Sequence, residues 1–164
     1  MNHSDIASKL VTWMQEFLEV PNPKLGAWVP CPFARQARVN NNISIKFASV
    51  AELTQAVHES IEELSSKEVV VVCFDHNNIN PVELQEYVEG MNKTLMLENY
   101  VILEDHPWTP EYINGVCMNF GHCGLLVIQK LDKLNKASDQ LREKGYYNHW
   151  TQQDLDSVVS WRYK

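Results

Sequence analysis

Six consecutive apolar residues, Val69-Val70-Val71-Val72-Cys73-Phe74, stand between Glu68 and Asp75. The valines are β-branched, which favours extended backbone over helix. No polar residue interrupts the run, so neither face of this strand can rest against water. Such a strand belongs inside a sheet covered on both sides, as in parallel α/β sheets. The rest of the chain must therefore supply further strands and helices to cover them.

It does so in a regular order. Ile43, Ile45 and Phe47 alternate with Ser44 and Lys46, the pattern of a strand with one wet face. Tyr100–Leu103 and Leu125–Ile128 read as two more strands. Between them, Ser49-Val50-Ala51-Glu52 and Asn80-Pro81-Val82-Glu83 are helix-opening capping boxes. The first helix carries Leu53, Val57, Ile61 and Leu64 on one face; the second carries Leu84, Tyr87, Val88, Met91 and Leu95. Leu131, Leu134, Ala137 and Leu141 define a helix stopped by Gly145, and a short terminal helix is expected over residues 151 to 161. At the other end, Ile6, Leu10, Trp13, Met14, Phe17 and Leu18 recur at helical spacing, with Ser4 or Asp5 placed to cap the start and Pro21 and Pro23 to end it. The expectation is a single domain over residues 1–164, of α/β or layered α+β class. A four-stranded sheet runs in βαβαββα order behind an N-terminal helix, with at least two strands parallel.

Composition narrows the function. The chain is 45% hydrophobic and 21% charged, enough for a full core. Its net charge of −7 opposes binding to nucleic acid or an anionic membrane. No apolar run approaches the ~20 residues of a membrane span, and the first residues carry no signal-peptide pattern, so a soluble cytoplasmic protein is expected. In that setting Cys31, Cys73, Cys117 and Cys123 read as free thiols or parts of a site. Dinucleotide-binding, P-loop, zincin, nucleophile-elbow and EF-hand motifs are all absent from the sequence.

One arrangement points to chemistry. The strand Val69–Phe74 ends in Asp75-His76, and the strand Tyr100–Leu103 ends in Glu104-Asp105-His106. The helix between them makes a βαβ unit, so both strands run the same way and both pairs emerge on one sheet edge, where ligands of open α/β sheets bind. Side chains alternate along a strand, so either the two histidines or the two aspartates converge. Imidazole is the commonest transition-metal ligand, with a carboxylate holding its second nitrogen. The expectation is a divalent metal, iron or zinc, on His76 and His106, with His122 as third ligand and Asp75, Asp105 or Cys31 completing the shell. The competing view is that polar residues simply begin loops after buried strands.

Two further segments bear on this. In Cys31-Pro32-Phe33-Ala34, Pro32 at the first helical position would make Cys31 the N-cap, where free amides, Arg35 and Arg38 would stabilise a thiolate. On that basis Cys31 should alkylate faster than Cys73. The opposing view is a small cysteine packed in a proline-rich turn. The loop from about 106 to 123 is long enough to suggest function. It contains Cys117-Met118-Asn119-Phe120-Gly121-His122-Cys123, which lacks the second pair of a structural zinc site but could lend His122.

Together, a tryptophan-bearing amphipathic helix before Cys31-Pro32-Phe33-Ala34, a buried strand ending in His76 and a later strand ending in His106-Pro107 resemble the bacterial family catalogued as domain of unknown function 1415. The resemblance covers about residues 5 to 145 and departs from the family pattern at Asn77, where proline would follow the histidine. It implies that Cys31, His76 and His106 share one site, and it brings no activity with it. The leading expectation is a small metal-dependent enzyme acting on a small-molecule substrate, with Cys31, Asp75 and Asp105 as candidate catalytic groups. The alternatives are a Cys31-dependent redox or nucleophilic enzyme, and a non-catalytic module that binds a small molecule or a protein.

Overall fold

The computed structural model describes all residues from Met1 to Lys164. Helix α1 (His3–Trp13) runs into a π-helical turn over Met14–Leu18, and α2 (Ala34–Val39) precedes the sheet. There follow β1 (Ile43–Phe47), α3 (Leu53–Glu63), β2 (Val69–Phe74), α4 (Pro81–Leu95) and β3 (Tyr100–Asp105). A small hairpin, β4 (Tyr112–Ile113) and β5 (Val116–Cys117), leads to β6 (Gly124–Lys130), α5 (Leu131–Glu143) and α6 (Gln152–Val158). The layered α/β class, the four-stranded sheet and the leading N-terminal helix follow the sequence pattern.

The sheet order is β1-β2-β6-β3. β1 and β2 pair in parallel, Ile43 opposite Val69 and Phe47 opposite Cys73. β6 lies between β2 and β3 and is antiparallel to both. β2 and β3 therefore run in the same direction and end on the same edge, although they are not neighbours. β6 takes the inner place because Leu125, Leu126 and Ile128 are buried, whereas β3 ends in Glu104 and Asp105 and tolerates an outer position.

One face of the sheet presents Val70, Val72, Phe74, Ile102, Leu126 and Ile128 to α3 and α4. The other presents Val71, Cys73 and Leu125 to Ile6 and Leu10 of α1, with Phe120 and Cys123 completing that layer. β2 is thus covered on both sides, as its unbroken apolar run requires. A third, smaller cluster of Leu25, Ile113 and Val116 ties the hairpin to both ends of the chain through Phe17, Trp150 and Val158. No helix is long and apolar enough to cross a membrane.

Three local expectations need correction. The cap of α1 is Asn2, whose side chain accepts from the Asp5 amide, rather than Ser4 or Asp5. α2 begins at Ala34 with Phe33 at the N-cap, so Cys31 lies in the turn before the helix and not at its cap. The long loop after β3 is partly ordered as a hairpin: Asn114 (φ 48°) and Gly115 (φ 80°) form its two-residue turn, for which an Asn-Gly pair is the usual signal.

Candidate functional site

The shared edge brings the two strand-end histidines together. The rings of His76 and His106 lie 5.8 Å apart, edge to face, and Trp108 packs against both at 5.6 and 5.3 Å. His106 is buried and fully engaged. Its Nε2–H donates to the Ile79 carbonyl (2.8 Å), and its Nδ1 accepts from the Trp108 amide (3.1 Å). These two bonds fix one neutral tautomer and pin the turn before α4 to the turn after β3. His76 is half-buried and makes no hydrogen bond, which leaves both its nitrogens open.

The aspartates go elsewhere, as the alternation along each strand demands. Asp75 closes its own turn, accepting from the backbone and side-chain amides of Asn77; those bonds hold its carboxyl below the usual range. Asp105 points into the long loop and accepts from the Asn119 side chain and the Phe120 amide, both at 2.9 Å. Burial nevertheless raises Asp105 above its ordinary value, against those bonds and the nearby His106. His122 is exposed and packs on Phe120, on the α1 side of the sheet. The structure thus joins His76 with His106 and does not bring His122 to them. No three His, Cys, Asp or Glu side chains come close enough to hold a metal ion together.

Cys31 is engaged by other partners: its amide donates to the Leu18 carbonyl, and the neighbouring Pro30 carbonyl accepts from the Tyr146 hydroxyl. The Cys31 sulphur faces the amides of Phe33 and Ala34, which favour the thiolate, but enclosure outweighs them and pushes the thiol up. Arg38 does not assist. It forms a two-pronged ion pair with Glu19, both bonds at 2.8 Å, and the Glu19 charge raises Cys31 further. Arg35 is exposed.

Two residues that periodicity passes over organise the edge. Asn119 accepts from the Glu111 amide and donates to Asp105 and to the carbonyls of His106 and Thr109, so one side chain holds the loop's two limbs together. Glu104, one residue before Asp105, faces the opposite way, toward α4. It lines two adjoining cavities, of about 650 and 300 Å³, which also share Gln85 and Glu111. The larger runs between α4, β3 and α6, with Val88, Met96 and Trp161 among its apolar walls. The smaller reaches His106 and Asn119.

The electrostatics of this groove are set by crowding of like charge. Glu104 keeps contact with water at the groove's mouth, yet the protein around it, then Glu89 and Glu111, raise its carboxyl to about 7. Water at the mouth limits that rise, and its direction is upward because desolvation and both neighbouring carboxylates act the same way. Glu111, exposed at the rim, is raised as well, by partial desolvation and then by Asp105 and Asp154. The signal in the sequence was the charged pair Glu104-Asp105 continuing the alternation of β3 past Leu103, so that one carboxylate faces each side of the sheet.

The chain matches no family model, no curated protein and no solved structure.

Proposed function

We propose that this protein is a small-molecule enzyme of the acid–base kind, in which Glu104 exchanges a proton with a substrate seated between α4, β3 and α6. The observation that carries this reading is a carboxyl raised to about 7 on the wall common to two cavities. A general acid or base works best with its titration near the working pH, and such groups cluster in clefts. The larger cavity, about 650 Å³, falls within the range of small-molecule sites. Apolar walls with carboxylates at the rim suit a compact, partly apolar substrate that is not anionic.

The test starts with the titration of Glu104 followed by carboxyl NMR. A midpoint near 7 is expected; one near 4.5 removes the proton donor and ends the proposal. Screening small neutral and amine-bearing fragments should then shift the Leu103 and Glu104 amides and the Trp161 indole, with affinity that follows the same midpoint and loses that dependence in Glu104→Gln. Stability gives an independent reading. Because the folded carboxyl holds its proton more tightly than the unfolded one, its contribution is full below pH 4.5 and is lost as pH rises through about 7. Glu104→Gln should therefore leave stability unchanged near pH 4 and raise it near pH 8. The gain is on the order of 1 kcal/mol, well below the full linkage value, because water reaches the side chain.

A second reading keeps a divalent metal, iron or zinc, on the histidine pair, and it is favoured by the approach of His76 to His106 and by the open nitrogens of His76. It requires His106 to give up the Ile79 carbonyl, and a third ligand from Asp75 or solvent. Zinc and iron titrations of the parent, His76→Ala and the double variant His76→Ala/His106→Ala decide it. Loss of binding in both variants supports the site, and unchanged binding in the double variant rejects it.

A further inference from the structure

Cys73 belongs to β2, and Cys123 immediately precedes β6. In the ladder Cys73 faces Leu125 and Phe74 faces Gly124, so Cys123 lies just beyond the last pair, diagonal to Cys73 and on the same face of the sheet. Both side chains are completely buried, in one cluster with Ile6, Leu10, Val71, Phe120 and Leu125. The two thiols interact directly and move each other apart, Cys73 becoming harder to ionise and Cys123 easier. Cys31 and Cys117 have no cysteine neighbour of this kind: one is half-buried in the turn before α2, the other exposed on the hairpin. Diagonal positions on adjacent antiparallel strands lie at the outer limit of disulfide reach, so the bond requires the backbone to draw in at the end of the ladder, where Cys123 stands outside the paired residues.

We propose that Cys73 and Cys123 are a redox pair that a hydroperoxide converts into an internal disulfide. The Cys123 sulphur attacks the peroxide; the O–O bond breaks, an S–O bond forms, and water or an alcohol leaves. The Cys73 sulphur then attacks the sulfenic sulphur of Cys123. The S–S bond forms, the S–O bond breaks, and the hydroxyl leaves as water with the Cys73 proton. The two thiols are oxidised by two electrons and the hydroperoxide is reduced by the same two.

The surroundings set the rate and the consequence. Ile6 and Leu10 of α1 close the sulphurs off from solvent, so oxidation waits for this terminal helix to lift, a local opening. Cys123 also ends the loop whose Asn119 and Phe120 hold Asp105, and Cys73 lies two residues before Asp75. The bond would tie that loop to the end of β2 and stiffen the edge that carries His76 and His106.

The experiment treats the full chain carrying Cys31→Ser and Cys117→Ser, and the parent beside it, with hydrogen peroxide at neutral pH. Intact mass should fall by two hydrogens, and digestion should give one peptide pair linking Cys73 to Cys123, released by dithiothreitol. Leu10→Ala should speed the reaction several-fold, by making α1 easier to lift. The proposal is overturned if both thiols still alkylate fully in denaturant after an exposure that oxidises Cys117 of the parent to completion. It is equally overturned if oxygen accumulates on single cysteines with no linked peptide. Because the parent is mapped in the same way, a folding defect in the serine variant does not obscure the result.

Discussion

Replacing Asn92 by leucine is expected to destabilise the protein by about 2–4 kcal/mol, since each buried backbone group left without its partner costs ~1–3 kcal/mol and the added apolar burial recovers only part. The reason lies at the sheet's outer edge. β3 pairs with β6 on one side only, and the amide and carbonyl of Ile102 turn outward. Asn92, on α4, meets both: its Nδ2 donates to the Ile102 carbonyl and its Oδ1 accepts from the Ile102 amide, each at 2.9 Å. The side-chain amide stands where the peptide group of a further strand would be. Ile102 is completely buried and Asn92 nearly so, and water cannot take over either bond. Asn92→Asp should be at least as damaging, because it retains the acceptor and sets a carboxylate against the Ile102 carbonyl. Denaturant unfolding with an unchanged m-value measures the loss, and hydrogen exchange at the Ile102 amide locates it. A change below about 0.5 kcal/mol, the size of an ordinary surface substitution, would mean that the edge is satisfied in some other way. The same edge borders the larger cavity, which Asn92 lines. A helix pinned to β3 by a two-bond clasp gives the groove a rigid wall, on which Glu104 stands one turn of the pleat away.

What the sequence made legible follows the range of the interactions involved. The uninterrupted run Val69–Phe74 and the capping box at Asn80–Glu83 are local signals, and both elements form where those signals place them. From them alone the common direction of β2 and β3 can be inferred, and with it the meeting of His76 and His106. The insertion of β6 between these strands was not legible, because strand order depends on which strands bury both faces. The charges closing β3 and the apolar core of β6 state that preference only when the two are compared. Cys31 misled for a related reason. The dipeptide Cys31-Pro32 is a fair local cap signal, but Arg38 bonds Glu19, nineteen residues earlier, and its charge is spent there. Hydrophobic periodicity does not single out Asn92 or Asn119, because asparagine counts there as a surface residue. Asn92 nevertheless falls on the stripe of Leu84, Val88 and Leu95, and a polar residue on an apolar stripe demands a buried partner.

Gly124→Ala should cost about 3 kcal/mol, at the upper end of what overpacking a closed core produces. Nothing in the backbone requires glycine here, since its φ is not in the left-handed region. The constraint is space. A β-carbon on Gly124 would stand 2.3 Å from both Cε2 and Cζ of Phe74 and 2.9 Å from Cδ2, distances at which atoms cannot coexist. Phe74 faces Gly124 directly in the β2–β6 ladder, and its ring is completely buried against the layer of Leu53, Leu84 and Ile102. It therefore has no free rotamer to retreat into, and the strands must part instead. The double variant Phe74→Leu/Gly124→Ala separates this clash from other causes. Phe74→Leu alone leaves a void, the alanine methyl fills part of it, and the double variant should recover about 1–3 kcal/mol relative to the sum of the single losses. Additive losses would place the strain outside this contact. The position also bears on the edge that carries the site, since Phe74 leads directly into Asp75-His76 and Gly124 directly follows Cys123. Parting the strands at this pair should shift His76 relative to His106. Loss of the ring-current shifts that His76, His106 and Trp108 impose on one another would register that displacement, even in a variant that still folds.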